Sequence, residues 1–226
     1  LATSGEEVGS TTGLKWLADE HWDEINPAFA LNEGGGIIRD KDGISIVFAE
    51  ASTKMYMDIK ITAYGTAGHS SMPSDDNAVY RLSQALSKIS QYNAPARMTP
   101  TTYKFFKAIA PLQDEDAQTT MHFLLGADEK NRAMAAEIVA LDPFFRTQLK
   151  NTITPTVLTG GKDSGATSGE ASALLNARLL PGTDPDTFLE ELKKLFEGDD
   201  EISLEVVEQP ELPFPAPMDG SDPLFA

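Results

Sequence analysis

Apolar and polar residues alternate with a period of two from about residue 55 to residue 63. Met57, Ile59, Ile61 and Ala63 fall on one side of this segment, and polar positions fall between them. A period of two is typical of a β-strand with one buried face. The pattern therefore predicts a half-buried strand here. Further apolar runs predict strands at 153–158, at 171–179 and around 202–206.

Two segments between these strands have the spacing of amphipathic helices. The first is expected to be capped near Ser74 or Asp75, and Thr183-Asp184-Pro185 opens the second. The order β-α-β-β-α-β over residues 53–208 predicts a ferredoxin-like antiparallel sheet with two helices on one face. The predicted inward positions are Val79, Leu82, Leu86 and Ile89 in the first helix and Phe188, Leu192 and Leu195 in the second.

The rest of the chain divides around this unit. Residues 92–151 have helical spacing and predict a helical insertion, with helices at 103–109, 132–140 and 143–149. Residues 1–52 predict a helix over 9–21, a strand at 28–31 and a hairpin of residues 37–38 and 44–48. Proline-rich residues 209–217 predict a stiff linker. We therefore expect a mixed α/β and α+β chain with parts 1–52, 53–208 and 209–226.

Composition narrows the possible functions. The formal net charge is −17, from 35 acidic and 18 basic residues, and it would repel a phosphate backbone. No apolar run is long enough for a membrane span, so we expect a soluble protein without a nucleic-acid or membrane partner. The chain has no cysteine, so any metal must be held by carboxylates and imidazoles. The absence of cysteine is compatible with both a cytosolic and an exported protein, so the sequence does not decide the cellular location.

The carboxylate pair Glu6-Glu7 is the first candidate for chemistry. Small residues surround the pair where a predicted strand gives way to a helix, and such strand ends bind ligands in open α/β sheets. Adjacent side chains on an extended segment point in opposite directions, so one can bind a metal while the other faces its water. Glu33 follows the next predicted strand and could supply another ligand oxygen. The alternatives are solvated charges for the pair and a turn residue for Glu33.

Four segments in order resemble a known family. They are TSGEEVGSTTGLKWL, FALNEGGG, YGTAGHSSMPSDDNAVYRL and GEASALLNARLLPG. Together they resemble the dinuclear zinc metallopeptidases that include aminoacylase, acetylornithine deacetylase, succinyl-diaminopimelate desuccinylase and the glutamate and Gly-X carboxypeptidases. The resemblance implies part of a catalytic domain followed by a lid or dimerisation domain, and therefore a homodimer through residues 53–208.

The resemblance also implies roles for five residues. Glu6 matches the general acid/base, and Glu7 and Glu33 match ligands of two zinc ions, with cobalt or manganese as possible substitutes. His69 matches a histidine that hydrogen-bonds the developing oxyanion, in dimeric members from the partner subunit. Arg178 matches an arginine that binds the free carboxylate of a small peptide or N-acyl amino acid. A turn or capping role for His69 and an outward ion pair with a glutamate for Arg178 are the alternatives.

The chain also departs from the family pattern. An asparagine of the family corresponds to Gly165, which puts the substrate contacts of that loop in doubt. The remaining family ligands are expected before Leu1 and after Ala226, whereas His21 and His122 match none of them. We therefore expect an incomplete zinc site and an inactive isolated chain from a metal-dependent amide hydrolase. The competing hypothesis is a non-catalytic dimerisation or ligand-binding module.

Overall fold

The computed structural model describes residues 13–26, 35–39, 43, 45–50 and 52–209. The chain divides into two compact units, Leu1–Glu50 and Ala51–Ala226. None of the described helices is long and apolar enough to cross a bilayer. The predicted linker after residue 209 and the strand at 28–31 lie outside the described residues.

The first unit contains two short helices and a hairpin. Helix α1 is Leu14–Glu20 and α2 is Trp22–Ile25. Gly13 has a φ of 93°, which is not helical, so the prediction of one helix over residues 9–21 is wrong at its start. Strands β1 (Gly36–Arg39) and β2 (Ser45–Phe48) form the predicted antiparallel hairpin, with Gly43 at a φ of 81° in its turn.

The second unit is built on a four-stranded antiparallel sheet, and we call residues 52–209 the sheet domain. Its long strands are β3 (Met55–Tyr64), β5 (Thr152–Gly160), β7 (Glu170–Leu179) and β8 (Ile202–Glu208), in the order β5-β7-β3-β8. Helix α3 (Ala78–Gln91) follows β3, and α8 (Pro185–Lys193) follows β7. The predicted element order is confirmed. Strands β5 and β8 are the two edges.

One face of the sheet forms the core. The odd-numbered positions of β3 and β7 are buried there, and the apolar stripes of α3 and α8 cover them. The even-numbered positions, among them Tyr56, Asp58, Asn176 and Arg178, lie on the opposite face, which no described helix of this core covers. The buried core residues include Met57, Ile59, Ile61, Leu82, Ile89, Leu175, Leu179, Phe188 and Leu192.

Helix α3 begins later than its sequence pattern predicts. Its N-cap is Asn77, whose side chain accepts hydrogen bonds from the backbone N–H groups of Val79 and Tyr80. The predicted caps Ser74 and Asp75 are wrong, and the exposed Val79 is not a core residue. Ala78 takes the inward position instead, because it precedes Leu82 by one turn on the buried stripe that continues through Ala85 and Ile89. The predicted opening of α8 at Thr183-Asp184-Pro185 is confirmed, with Asp184 as the N-cap and Pro185 in the first turn.

The insertion between α3 and β5 is helical, as predicted. It contains α4 (Pro100–Ile109), α5 (Glu115–Leu125), α6 (Glu129–Val139) and α7 (Pro143–Leu149). The sequence pattern did not predict α5. An ion pair with a buried cation stabilises the base of the insertion: Lys150, 3% exposed, donates to the half-exposed Glu137 at 2.6 Å and to Asn93 at 2.7 Å.

Candidate functional site

His69 lies in a small two-stranded ladder beyond the end of the main sheet. Strand β4 (Gly68–His69) pairs with β6 (Ala166–Thr167), and His69 is directly opposite Ala166. The backbone N–H of Ser70 extends the ladder by donating to the carbonyl of Gly165 at 2.9 Å. The imidazole is exposed. The ladder therefore fixes the backbone of His69 while its ring stays accessible.

Ser71 determines which nitrogen of the His69 ring carries the proton. The backbone N–H of Ser71 donates to Nδ1 at 3.2 Å, and the Ser71 hydroxyl lies 2.8 Å from the same nitrogen. A backbone N–H can only donate, so Nδ1 is the acceptor and the proton of the neutral ring is on Nε2. The neutral imidazole thus presents an N–H donor to the solvent side, as an oxyanion would require.

The loop that faces His69 has no amide side chain. Gly165, where the family resemblance implies an asparagine, donates its N–H to Asp163 at 2.7 Å, and a Cβ at this position would come within 3.3 Å of the same carboxylate oxygen. Lys162, Asp163 and Ser164 line an open cavity of about 490 Å³ with the start of α3. Any contact that this loop makes with a ligand must therefore come from the backbone or from these neighbours.

Arg178 lies at the far end of the sheet, on the face opposite the helices. Its Nε donates to Oδ1 of Asn176 at 2.9 Å, and its guanidinium lies over the ring of Tyr56, 5.7 Å from the centroid. Among the described residues it forms no ion pair with a carboxylate within 4 Å. The alternative of an arginine paired with a glutamate is therefore wrong for the described part of the chain. Within residues 52–209, the two terminal nitrogens of Arg178 are available to a planar anion.

Two carboxylates near Arg178 are held by uncharged groups. Asn176 donates its amide to Asp58 at 2.5 Å, and the hydroxyl of Tyr56 donates to Glu208 at 2.9 Å. The bond to Glu208 raises the pKa of the Tyr56 hydroxyl. These bonds hold the two carboxylates on Asn176 and Tyr56, and neither carboxylate forms an ion pair with Arg178 within 4 Å among the described residues.

His69 and Arg178 are far apart within one chain. Tyr56 pairs with Arg178 and Tyr64 pairs with Glu170, so eight residues of strand β3 separate the row of Arg178 from the end that leads to His69. At 3.2–3.4 Å per residue this separation is about 26 Å. A dipeptide spans only about 7 Å. One copy of the chain therefore cannot place both side chains on one small substrate.

Residues 51–201, which are more than half of the chain, match the peptidase dimerisation domain of the M20 family. The chain belongs to the M20 peptidase family. Its relatives include a probable carboxypeptidase S-like protein of Dictyostelium discoideum, 25% identical over 86% of this chain and 38% of that protein. A probable succinyl-diaminopimelate desuccinylase of Staphylococcus aureus is 30% identical over 82% of this chain and 38% of that protein. The chain thus spans little more than a third of these M20 relatives.

A solved M20 structure is also similar. The M20 family metallo-carboxypeptidase Sso-CP2 of Sulfolobus solfataricus has a TM-score of 0.40 and 19% sequence identity, over 68% of this chain and 37% of that chain. The predicted resemblance to the metallopeptidase family is confirmed by the family match. The mixed α/β class is confirmed by the sheet and its helices.

The candidate metal ligands Glu7 and Glu33 belong to the N-terminal part of the chain. Glu6, Glu7 and Glu33 lie outside the described residues. Within the described ranges no three His, Asp or Glu side chains come together in a way that could hold a metal ion. Catalytic zinc sites use three protein ligands, and Glu7 and Glu33 would supply two carboxylates. The donor chemistry suits zinc, but these two residues do not complete a site.

The other two histidines have local roles. His21 caps the C-terminal end of α1, is half-buried, and its Nδ1 lies 2.7 Å from Oε1 of Glu24. His122 is exposed on α5, next to the ring of Phe123. Neither belongs to a metal cluster in the part of the chain that the structure describes.

Sequence reasoning did not find Asn176 or Ser71. Asn176 is two residues before Arg178, and this spacing on a strand places both side chains on one face. The two-residue spacing could therefore have indicated Asn176 as a hydrogen-bond partner of Arg178. Ser71, two residues after His69 in a turn, is likewise in reach of the ring, because short polar side chains bond locally at turns.

Proposed function

We propose that this chain is part of an M20 enzyme that hydrolyses an amide or peptide bond adjacent to a free carboxylate. The observation that carries the proposal is Arg178, an exposed guanidinium whose two terminal nitrogens lack a carboxylate partner among the described residues. Arginine matches a carboxylate through two parallel hydrogen bonds. The substrate class would be dipeptides or N-acyl amino acids.

Four other residues complete the proposed machinery. Glu6 would transfer the proton to the leaving amine, and Glu7 and Glu33 would bind two metal ions, zinc in the first instance. Zinc, when bound, supplies Lewis-acid catalysis. His69 would donate its Nε2 proton to the developing oxyanion, a contribution of roughly 3–4 kcal/mol for donors of this kind. Its bonds from Ser71 support this role, because they leave Nε2 as the donor.

We further propose a homodimer that combines His69 of one copy with Arg178 of the other. The separation of about 26 Å within one chain supports this arrangement, because a small substrate cannot bridge it. The proposed contact is the free edge of β5. Val157 and Leu158 are 52% and 66% exposed there, and Tyr80 of α3 is 66% exposed beside it.

The two sheet edges differ in charge, which favours β5. Strand β5 contains no charged residue, whereas β8 carries Glu205 and Glu208 and follows Glu201. Charged edge strands resist pairing with another copy. A second copy would meet repulsion at β8 and apolar contact at β5.

The test is metal-dependent hydrolysis by the longer protein that contains this chain. N-acyl amino acids or dipeptides should be cleaved, a chelator should remove the activity, and zinc should restore it. The 226-residue chain alone should be inactive under the same conditions. Hydrolysis by the isolated chain at the rate of the longer protein, or activity that survives the chelator, would overturn the proposal.

A further inference from the structure

Lys54 lies immediately before β3, at the same end of the sheet as Arg178. Its Nζ donates to the backbone carbonyl of Lys150 at 2.8 Å and approaches Oγ1 of Thr152 at 3.4 Å. Thr152 is directly opposite Arg178 in the register of β5 and β7. Paired residues of an antiparallel sheet project from the same face. The ammonium group of Lys54 therefore reaches the row of the sheet that carries Arg178.

The surroundings of the Lys54 ammonium group disfavour its positive charge. Burial lowers the pKa of Lys54 to about 8, and the positive charge of Arg178 adds to this effect. Within the described ranges, neither Lys54 nor Arg178 has a carboxylate within 4 Å. Two neighbouring cations repel each other, and an anion between them would relieve the repulsion.

The charged groups nearest to these two cations have other hydrogen-bond partners. Asp58 on β3 accepts from Asn176, and Glu208 on β8 accepts from Tyr56. The amino group of Lys150 binds Glu137 and Asn93, so only its backbone carbonyl faces Lys54. The cations thus form a pair without an internal carboxylate partner in the described chain.

We propose that Lys54 and Arg178 together bind one carboxylate group, the free carboxylate of the substrate. An ammonium has three N–H donors, and Lys54 directs at most two to Lys150 and Thr152, so one remains. Arg178 contributes the two terminal nitrogens that Asn176 leaves free. The inference rests on the proposed function, which assigns Arg178 to the substrate, and it adds Lys54 as the second cation.

The direct test is the titration of Lys54 in the 226-residue chain, followed by the NMR signal of its Cε carbon. Saturating N-acetylglycine should raise the midpoint from about 8 by about one unit, because a nearby anion favours the charged lysine. N-acetylglycinamide has no carboxylate and is the matched control. An unchanged midpoint with N-acetylglycine, or an equal shift with the amide, would overturn the proposal.

Variants separate binding from a merely structural role. In Lys54→Met the affinity for N-acetylglycine at neutral pH should fall about tenfold, whereas Lys54→Arg should retain it. Lys60→Met is the control, because Lys60 lies on the same strand beside Glu170. If Lys54 only supports the carbonyl of Lys150, Lys54→Met will unfold more readily but bind N-acetylglycine as the wild type does, and the proposal is wrong.

Failure of this inference can be told from failure of the proposed function. If the longer protein hydrolyses N-acyl amino acids and Lys54→Met leaves KM unchanged, the function stands and the second cation is refuted. If no amide is hydrolysed but N-acetylglycine shifts the midpoint of Lys54, the carboxylate site stands and the hydrolytic function is refuted.

Discussion

Arg178 donates its Nε proton to Asn176 at 2.9 Å, and Asn176 in turn donates to Asp58 at 2.5 Å. This chain of bonds holds the guanidinium by its inner nitrogen. The outer pair of nitrogens is left for a ligand, and the ring of Tyr56 supports the flat group. Asn176 is therefore a positioning residue for the arginine.

Replacing Asn176 should weaken substrate binding more than the chemical step. Asn176→Leu removes the bond to Arg178 while keeping a similar volume, so KM of the longer protein should rise roughly two- to tenfold with kcat nearly unchanged, since a neutral hydrogen bond contributes about 0.5–1.5 kcal/mol. Steady-state kinetics measures the split. Ser172→Ala, on the same face of β7, is the control. A fall in kcat at constant KM would show that Asn176 acts otherwise.

The contact between Ser71 and His69 predicts losses of kcat that differ in size among three variants. Removal of the imidazole in His69→Ala should lower kcat about 10²- to 10³-fold if its Nε2 proton stabilises the oxyanion. Ser71→Ala removes the hydroxyl contact and keeps the backbone N–H, so kcat should fall only several-fold. Ser70→Ala, one residue earlier, should have no effect on kcat. Equal losses in Ser70→Ala and Ser71→Ala would contradict the tautomer argument.

The β5 edge predicts which surface holds the dimer together. Leu158→Lys places a charge on a side chain that is 66% exposed at this edge, and light scattering should show a shift from dimer to monomer. Val207→Lys makes the same change on β8, where the side chain is 47% exposed, and should leave the dimer intact. Dissociation by Val207→Lys and not by Leu158→Lys would assign the contact to the other edge.

The ion pair between Lys150 and Glu137 predicts a pH-dependent contribution to stability. The bond from Lys150 lowers the pKa of Glu137 below its ordinary value of 4.5, with a further bond from Asn93. A lowered carboxyl pKa stabilises the fold at neutral pH, and the contribution is lost as pH falls below 4.5 and through the folded pKa. Denaturant unfolding should therefore show a smaller acid-induced loss in Glu137→Gln than in the wild type.

The size of this effect depends on exposure. Lys150 is buried and Glu137 is half exposed, so Glu137→Gln should lower the free energy of unfolding at neutral pH by about 1–2 kcal/mol. Glu190→Gln breaks the exposed pair with Lys193 and should change it by less than about 0.5 kcal/mol. Similar losses of unfolding free energy in the two variants would mean that burial of Lys150 does not strengthen its ion pair.

The strands of the main sheet and the helices that cover it could be predicted because their sequence signals lie within a few neighbouring residues. The alternation along β3 and β7 and the helix start at Thr183-Asp184-Pro185 each depend on neighbouring residues, and these predictions are confirmed. Helix α5 was not predicted because the first six residues of EDAQTTMHFLL are polar except for one alanine. Only Met121 and Leu124 are buried, so the helix has no long apolar stripe. The β4–β6 ladder joins residues almost a hundred positions apart, and two-residue strands leave no period to detect.

The candidate site was predictable only in part. The family resemblance pointed to His69 and Arg178, but nothing local indicates that eight residues of strand separate their rows. Asn176 and Ser71 required knowledge of which side chains share a face or a turn. Lys54 required the register of Thr152 with Arg178, which depends on the bulge and pairing of β5. The roles of Glu6, Glu7 and Glu33 stay predictions, since these residues lie outside the described part of the chain.

The most direct test of the account compares kcat/KM of the longer protein for an N-acetyl amino acid and for its carboxamide, in the wild type and in Arg178→Gln. The account predicts that the wild type prefers the acid roughly 10- to 100-fold, because hydrogen bonds to a charged group contribute about 1.5–3 kcal/mol, and that the preference nearly disappears in the variant. Equal cleavage of acid and amide by the wild type, or a preference that survives in Arg178→Gln, would contradict it.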